Sequence, residues 1–420
     1  MAQTNQTLPH ISAALLGIAL PALILGRSVF AVIICIAILL IVIDVIKTAS
    51  FSNIRKAFIA EWKRPLGIFL AAVFILCIPS VIAADDTLHS FNAPGRTLGF
   101  CFIATFFYVY LKDHPNLSII WIKYLIISSV LAIALAYFSQ FVHPEFYWFL
   151  HLKGIKTDPL GHTLKEYTAL AVFIVPLLIF SAYRSRNFLS VIALLSALAL
   201  LVLIWLLANR ATIAGLLAAI ICLSIAICAR YSTKRQIIVT GSFSTFCLGS
   251  VLWWLHTTRD AARFSIPEGD YLLPTWLIDY ERQIIWSHAW DIALQTPWFG
   301  RGANTINLAP GADKVLEGTH GLHVIPAHPH NWPVELFAEI GIFGLFSVIG
   351  FVLFCMVQML YVYRTSGNPA VLTAMAIFAG YWCSGLFNFS FWAAWWQLAF
   401  ILAQTLVFSI QPKPDAKTWP

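Results

Sequence analysis

From Val191 to Cys228 the chain runs for 38 residues with one strongly polar break, Asn209-Arg210. A single helix of that length would extend roughly 57 Å, against a hydrocarbon layer of about 30 Å. The run must fold back on itself, and the polar pair marks the turn. Two apolar segments of this length are read as a pair of spanning helices. The rest of the chain agrees, since only 11% of its 420 residues are charged, 60% are apolar and the mean hydropathy is +0.81. Soluble domains carry about 25% charged residues and must cover a large water-facing surface. A soluble enzyme, a disordered chain and a fibrous protein are therefore excluded. The apolar runs lack the alternation of barrel strands. The expected fold is an all-α polytopic membrane protein, whose helices satisfy their own backbone hydrogen bonds.

Twelve spans are expected, near residues 11–26, 29–46, 66–84, 97–111, 118–137, 166–182, 188–207, 211–229, 237–255, 333–363, 370–387 and 391–410. Alternate short loops carry Lys47, Arg55, Lys56, Lys63, Arg64, Lys112, Arg184, Arg186, Arg230, Lys234, Arg235 and Arg364. The positive-inside rule then puts both termini in the cytoplasm, and two longer loops, 138–165 and 256–332, outside. The net charge of +7 is thereby a sign of orientation, and no nucleic-acid partner is inferred. The first apolar run has no basic region before it and no small-residue cleavage site after it, so it reads as a retained span. All eight cysteines fall in expected spans, where they read as small buried apolar residues. Residues 1–420 form one membrane domain, with 256–332 as a large external loop inserted between spans nine and ten.

That loop holds most of the polar chemistry. It opens with Arg259, Asp260 and Arg263. Apolar residues at 284, 285, 289, 292 and 293 predict a helix, with Asp279 as its cap and Arg282 in its first turn, where free N–H groups favour an anion. Pro297-Trp-Phe-Gly300-Arg301-Gly302 predicts a sharp turn. Arg210, between two apolar spans, is a charge that must reach water, a partner or a ligand. Two arginines at one level suit a phosphate or pyrophosphate, because guanidinium grips phosphate oxygens as a fork. His320, His323, His328 and His330 are clustered, but their spacing matches no common zinc motif. His330, at the outer end of span ten, is a candidate base for a hydroxyl. Pro333 predicts that the helix starts after His330 and leaves it on the loop. Asp85 and Asp86 are rival carboxylates in an outward loop. Glu335 and Glu339 lie four residues apart in the first turns of span ten, where Glu335 is placed to orient an arginine or His330.

These residues resemble a known family. His330-Asn331 followed by Glu335, Gly341 and Gly344 resembles the signature that closes the large external loop of bacterial O-antigen ligases. Arg282-x-x-x-Trp286 with Pro297-Trp-Phe-Gly300-Arg-Gly302 resembles the family's loop segment, and Asn209-Arg210-Ala-Thr its turn between two central spans. The resemblance implies a GT-C-like membrane glycosyltransferase in the bacterial inner membrane, with its active site facing the periplasm. Its donor would be a glycan on undecaprenyl pyrophosphate, and its acceptor a sugar hydroxyl of lipid A–core. The reaction would be inverting and need no metal or other cofactor. Carried over by position, Arg210 and Arg282 would hold the donor pyrophosphate and His330 would activate the acceptor, with Asn331, Glu335, Arg301 and His328 in support. The same motifs occur in O-antigen polymerases and protein O-oligosaccharyltransferases. The former tend to have two comparably large external loops and the latter a C-terminal soluble part, neither of which this chain matches. A transporter of lipid-linked sugar is the alternative of another class, but no inverted repeat or matched pair of broken helices supports it.

Overall fold

The computed structural model describes residues 6–151, 164–231, 233–258, 272–315, 321 and 323–410. Among the described residues the only extended pairing is an isolated bridge between Val315 and His323; the architecture is helical. Among these residues seven helices are long and apolar enough to cross a membrane: Arg27–Lys47, Pro65–Ala83, Leu117–Phe141, Phe188–Leu206, Arg210–Tyr231, Lys234–Thr258 and Trp332–Ser366. Four shorter apolar helices, Thr7–Ala19, Ala171–Ser185, Pro369–Ser384 and Ala394–Phe408, accompany them.

The difference from the expected twelve lies in how the apolar runs are cut. The first run breaks at Pro21, which has no N–H to give the helix ladder, and continues as a 3-10 turn, Pro21–Leu25. The sixth run is split into Lys165–Ala169 and Ala171–Ser185. The fourth is the second half of a longer helix, Thr87–Asp113, started by the Asp86 carboxylate accepting from His89 N–H at 2.9 Å. The basic stretch after Lys47 forms a further helix, Phe51–Trp62.

Ala171–Ser185 is the hub. Residues 171–178 are all buried, as expected of a helix that is apolar on every side, and it packs against Leu117–Phe141, Phe188–Leu206, Arg210–Tyr231, Pro369–Ser384 and Ala394–Phe408. Peripheral helices instead expose large apolar side chains, such as Ile75 and Ile82, Leu194 and Leu195, and Ile238 and Phe246. Such faces are at home in lipid and not in water. The cysteines follow this division and correct the expectation for them. All eight are free, only Cys77 is fully buried, and Cys35 is exposed on an outer face.

The long apolar run does fold back. Phe188–Leu206 and Arg210–Tyr231 are joined through Ala208, whose φ is +48°. Asn209 Oδ1 accepts from Thr212 N–H at 3.3 Å, which fixes the start of the second helix.

A second junction ties the loop to the bundle. Trp332–Ser366 is interrupted at Gly341, where φ is +68° and ψ is −175°. This break takes the carbonyls of Ala338 and Glu339 out of the helix ladder. They accept from Arg301 N–H and Gly302 N–H at 3.1 and 2.9 Å, while Ile342 N–H donates to the Pro297 carbonyl at 2.8 Å. The two backbones are so close that a Cβ on Gly341 would lie 2.3 Å from the Trp298 carbonyl oxygen, and one on Gly300 2.3 Å from the Glu339 main chain. Both glycines also have positive φ, so no other residue fits either place without strain. The buried Glu339 carboxylate completes the seam by accepting from Asn304 N–H at 2.8 Å, Ile306 N–H at 3.2 Å and Trp392 Nε1–H at 2.5 Å.

Candidate functional site

Between Pro369–Ser384 and Ala394–Phe408 the chain is not helical over residues 385–393. Spans had been expected to 387 and from 391, so this segment is longer than its hydropathy suggests. It is also where the candidate residues meet.

His330 lies just outside Trp332–Ser366, as Pro333 predicts. Asn331 Oδ1 caps that helix by accepting from Val334 N–H at 3.2 Å. His330 itself has φ of +56°, a conformation that costs a non-glycine residue on the order of 1–2 kcal/mol. Its Nδ1–H donates to the Asn388 carbonyl at 2.5 Å. His328 Nε2–H donates to the same oxygen at 3.2 Å, and the two rings are 4.2 Å apart. A carbonyl only accepts, so His330 carries its proton on Nδ1 and its lone pair on Nε2. Burial pushes the His330 pKa down to about 3, helped by the charges of His328, Arg282 and Lys165 and opposed by the Asn388 carbonyl. Burial likewise pushes His328 down to about 4, with the carbonyl opposing and Lys165 and Arg282 adding. Both imidazoles are neutral across the ordinary pH range.

Arg282 occupies the first turn of the predicted loop helix, Tyr280–Gln295, whose buried Ala289, Ile292 and Ala293 pack against the start of Trp332–Ser366. Its Nη1–H donates to the carbonyl of Phe387, next to the carbonyl that holds the histidines. One turn on, on the same face, Trp286 Nε1–H donates to the Pro329 carbonyl at 2.9 Å and so fixes the residue between the two histidines. Arg210 joins this group through Asp279, whose Oδ1 is 3.9 Å from Arg210 Nη1 and whose Oδ2 is 4.0 Å from Arg282 Nε. Asp279 stands at the N-cap position but makes no capping hydrogen bond, contrary to the expectation. It is the shared counter-ion of the two arginines. Ion pairs this long and this exposed are weak, so an incoming anion competes for both guanidinium groups.

The supporting residues divide. Asn331 and His328 belong to the histidine junction. Arg301 is at the loop seam, with Nη2 3.6 Å from the Asp85 carboxylate. Glu335, buried, contacts neither an arginine nor His330 among the described residues, which corrects the role expected for it. Its carboxylate accepts from Ser390 Oγ–H and from Phe391 N–H at 2.7 Å, and thereby holds the 385–393 segment that presents the Asn388 carbonyl. His323 Nδ1–H donates to the Asp313 carbonyl at 2.6 Å. Arg259, Asp260, Arg263 and His320 lie outside the described residues.

Sequence reasoning missed Phe387 and Asn388. They act through main-chain carbonyls, which any residue supplies, at a short break between two expected spans. The Asn388 side chain is fully buried, and among the described residues neither its Oδ1 nor its Nδ2 has a hydrogen-bond partner. Lys165 was also missed, being the last residue of a loop and the neighbour of an apolar run.

Fold and site together define a multi-pass helical membrane protein that sets two arginines and two neutral histidines around one non-helical segment. The sequence model of the O-antigen ligase family matches residues 166–349. That stretch contains Arg210, Arg282, His330 and both glycines of the seam, and the match supports membership of the O-antigen ligase superfamily. The match supports a ligase- or polymerase-type function in general. No curated protein matches the chain.

Proposed function

We propose that this protein is an O-antigen ligase. It transfers a glycan from undecaprenyl pyrophosphate to a sugar hydroxyl of lipid A–core, at the periplasmic face of the bacterial inner membrane. The observation that carries the reading is the convergence of Arg282, His328 and His330 on the adjacent carbonyls of Phe387 and Asn388, with Arg210 linked to Arg282 through Asp279. In this reading the apolar helices form twelve spans of GT-C-like architecture, the shorter ones being completed by their broken neighbours. The basic loops, and both termini, are cytoplasmic.

Arg210 and Arg282 exchange Asp279 for the pyrophosphate of the donor. The acceptor oxygen attacks the anomeric carbon from the face opposite the pyrophosphate, so the configuration inverts. The bond from that carbon to the pyrophosphate oxygen breaks, and both of its electrons leave with undecaprenyl pyrophosphate. Fixed guanidinium groups stabilise that growing charge without a divalent ion. The hydroxyl proton passes to His330 Nε2, whose lone pair the Asn388 carbonyl keeps available. An anion on Arg282 also cancels part of the positive field that lowers the His330 pKa, so the base strengthens when the donor is bound. Both lipid substrates lie in one membrane plane, which lowers the cost of bringing them together.

The test is ligation by the purified protein of a labelled undecaprenyl pyrophosphate-linked glycan to lipid A–core, without ATP and with EDTA present. Product is expected. Extension of the donor glycan on itself would identify a polymerase, and movement of the donor across a bilayer with no product would identify a transporter.

A further inference from the structure

A third cation stands at this site. Lys165 opens the turn Lys165–Ala169. Its main-chain carbonyl accepts from Asn209 Nδ2–H at 3.3 Å, and the Thr168 hydroxyl accepts from the same amide at 2.9 Å. The other end of that amide, Oδ1, accepts from Thr212 N–H at the start of the Arg210 helix. One nearly buried side chain, Asn209, thus fixes the turn that carries Lys165 to the turn that carries Arg210.

Glu166, the adjacent carboxylate, is engaged by Arg27 through Nε at 2.8 Å and Nη2 at 2.5 Å. Among the described residues no carboxylate forms an ion pair with the Lys165 ammonium. It lies close enough to the histidines to act on both electrostatically, and to Arg282 to be acted on by it. Lys165 is therefore tied through Asn209 to the Arg210 turn and feels the charge of Arg282, and Asp279 pairs with the two arginines. Cations brought near one another in this way favour an anion between them. A separate observation also points to an absent ligand: the fully buried Asn388 amide, with both polar atoms unpartnered among the described residues, adjoins the carbonyl that Arg282 engages. A buried amide of this kind is rarely left unpaired.

We propose that Lys165 is a third anion-binding residue of the site, contacting the same pyrophosphate that Arg210 and Arg282 grip, with Asn209 as the positioning residue that sets its place beside Arg210. This rests on the ligase reading. A compact ammonium complements two planar guanidinium forks, because it reaches a phosphate oxygen from any direction.

The experiment measures donor KM and kcat separately for Lys165→Met, Lys165→Arg and Asn209→Ala, with Arg210→Ala and Arg282→Ala alongside. Loss of one charge-assisted contact predicts a rise in donor KM of roughly ten-fold or more for Lys165→Met, with restoration by Lys165→Arg and a smaller rise for Asn209→Ala. A second measurement uses the parent protein: inorganic pyrophosphate should protect Lys165 from an amine-acylating reagent, and inorganic phosphate should protect it less. An unchanged donor KM in Lys165→Met, or acylation of Lys165 unaffected by pyrophosphate, overturns the proposal. If the two arginine variants lose donor while Lys165→Met keeps it, only the lysine assignment falls. If none of the three loses donor, the ligase reading falls with it.

Discussion

His330 Nδ1–H donates to the main-chain carbonyl of Asn388, 58 residues further along the chain, at 2.5 Å. Because the acceptor is backbone, no side-chain substitution at 388 removes it. Because it binds Nδ1, it leaves the lone pair on Nε2. His330→Ala should lower kcat by about 10²–10⁴-fold, the usual contribution of a positioned base, and leave donor retention nearly intact. Single-turnover ligation and donor binding on the same preparation check this, and full activity would remove His330 from the mechanism.

The acid side of the stability profile should carry the mark of both histidines. Their folded pKa values, about 3 and about 4, lie below the ordinary value of 6.5. As pH falls below 6.5, the unfolded chain takes up protons that the folded site refuses, so stability is lost over that window and is unaffected above it. Thermal unfolding in detergent from pH 7 to pH 4 should show this loss. The double variant His328→Gln, His330→Gln should flatten that part of the curve, and an unchanged slope would contradict the burial of the two rings.

Glu335 acts at one remove, by holding Ser390 and Phe391. Leaving a buried donor unpaired costs about 1–3 kcal/mol. Glu335→Ala should therefore lower thermal stability and reduce kcat together, as the Asn388 carbonyl loses its fixed place. Glu335→Gln keeps an acceptor for one of the two donors and should fall between. A variant that loses stability and keeps full kcat would make Glu335 structural only.

Gly341→Ala places a methyl group where the Trp298 carbonyl oxygen stands, and Gly300→Ala one against the Glu339 main chain. Each also forces a positive φ on alanine, at on the order of 1–2 kcal/mol before any clash. Both should detach the 297–302 turn from the helix. Limited proteolysis of the loop should then become faster by at least ten-fold, and protection equal to the parent would show that the seam is not closed as described.

Much of this was legible because it is written in local signals. The hairpin at Asn209-Arg210, the stripe of Tyr280–Gln295, the Pro297–Gly302 turn and the position of His330 ahead of Pro333 each follow from a few neighbouring residues. What was hidden depends on residues distant in sequence. Asp279 carries a cap's chemistry and serves two arginines instead. Residues 385–393 lie mostly within two expected spans, yet they supply the carbonyls and N–H groups on which His328, His330, Arg282 and Glu335 converge. Hydropathy counts side chains, and here the work is done by the main chain. Lys165 was hidden for the opposite reason: a single lysine at the end of a loop looks like solvated surface until Asn209 is seen to bind its turn.

The seam between Gly300 and Gly341 also bears on any attempt to transplant the outer loop between relatives. Three backbone hydrogen bonds and two glycines without room for a methyl group join it to the very helix that His330 precedes. A graft cut at residues 256 and 332 would carry the turn and leave behind the break that receives it. Such chimaeras should assemble only when the donor's stretch through residue 344 travels with the loop, so the natural unit of exchange crosses the membrane boundary.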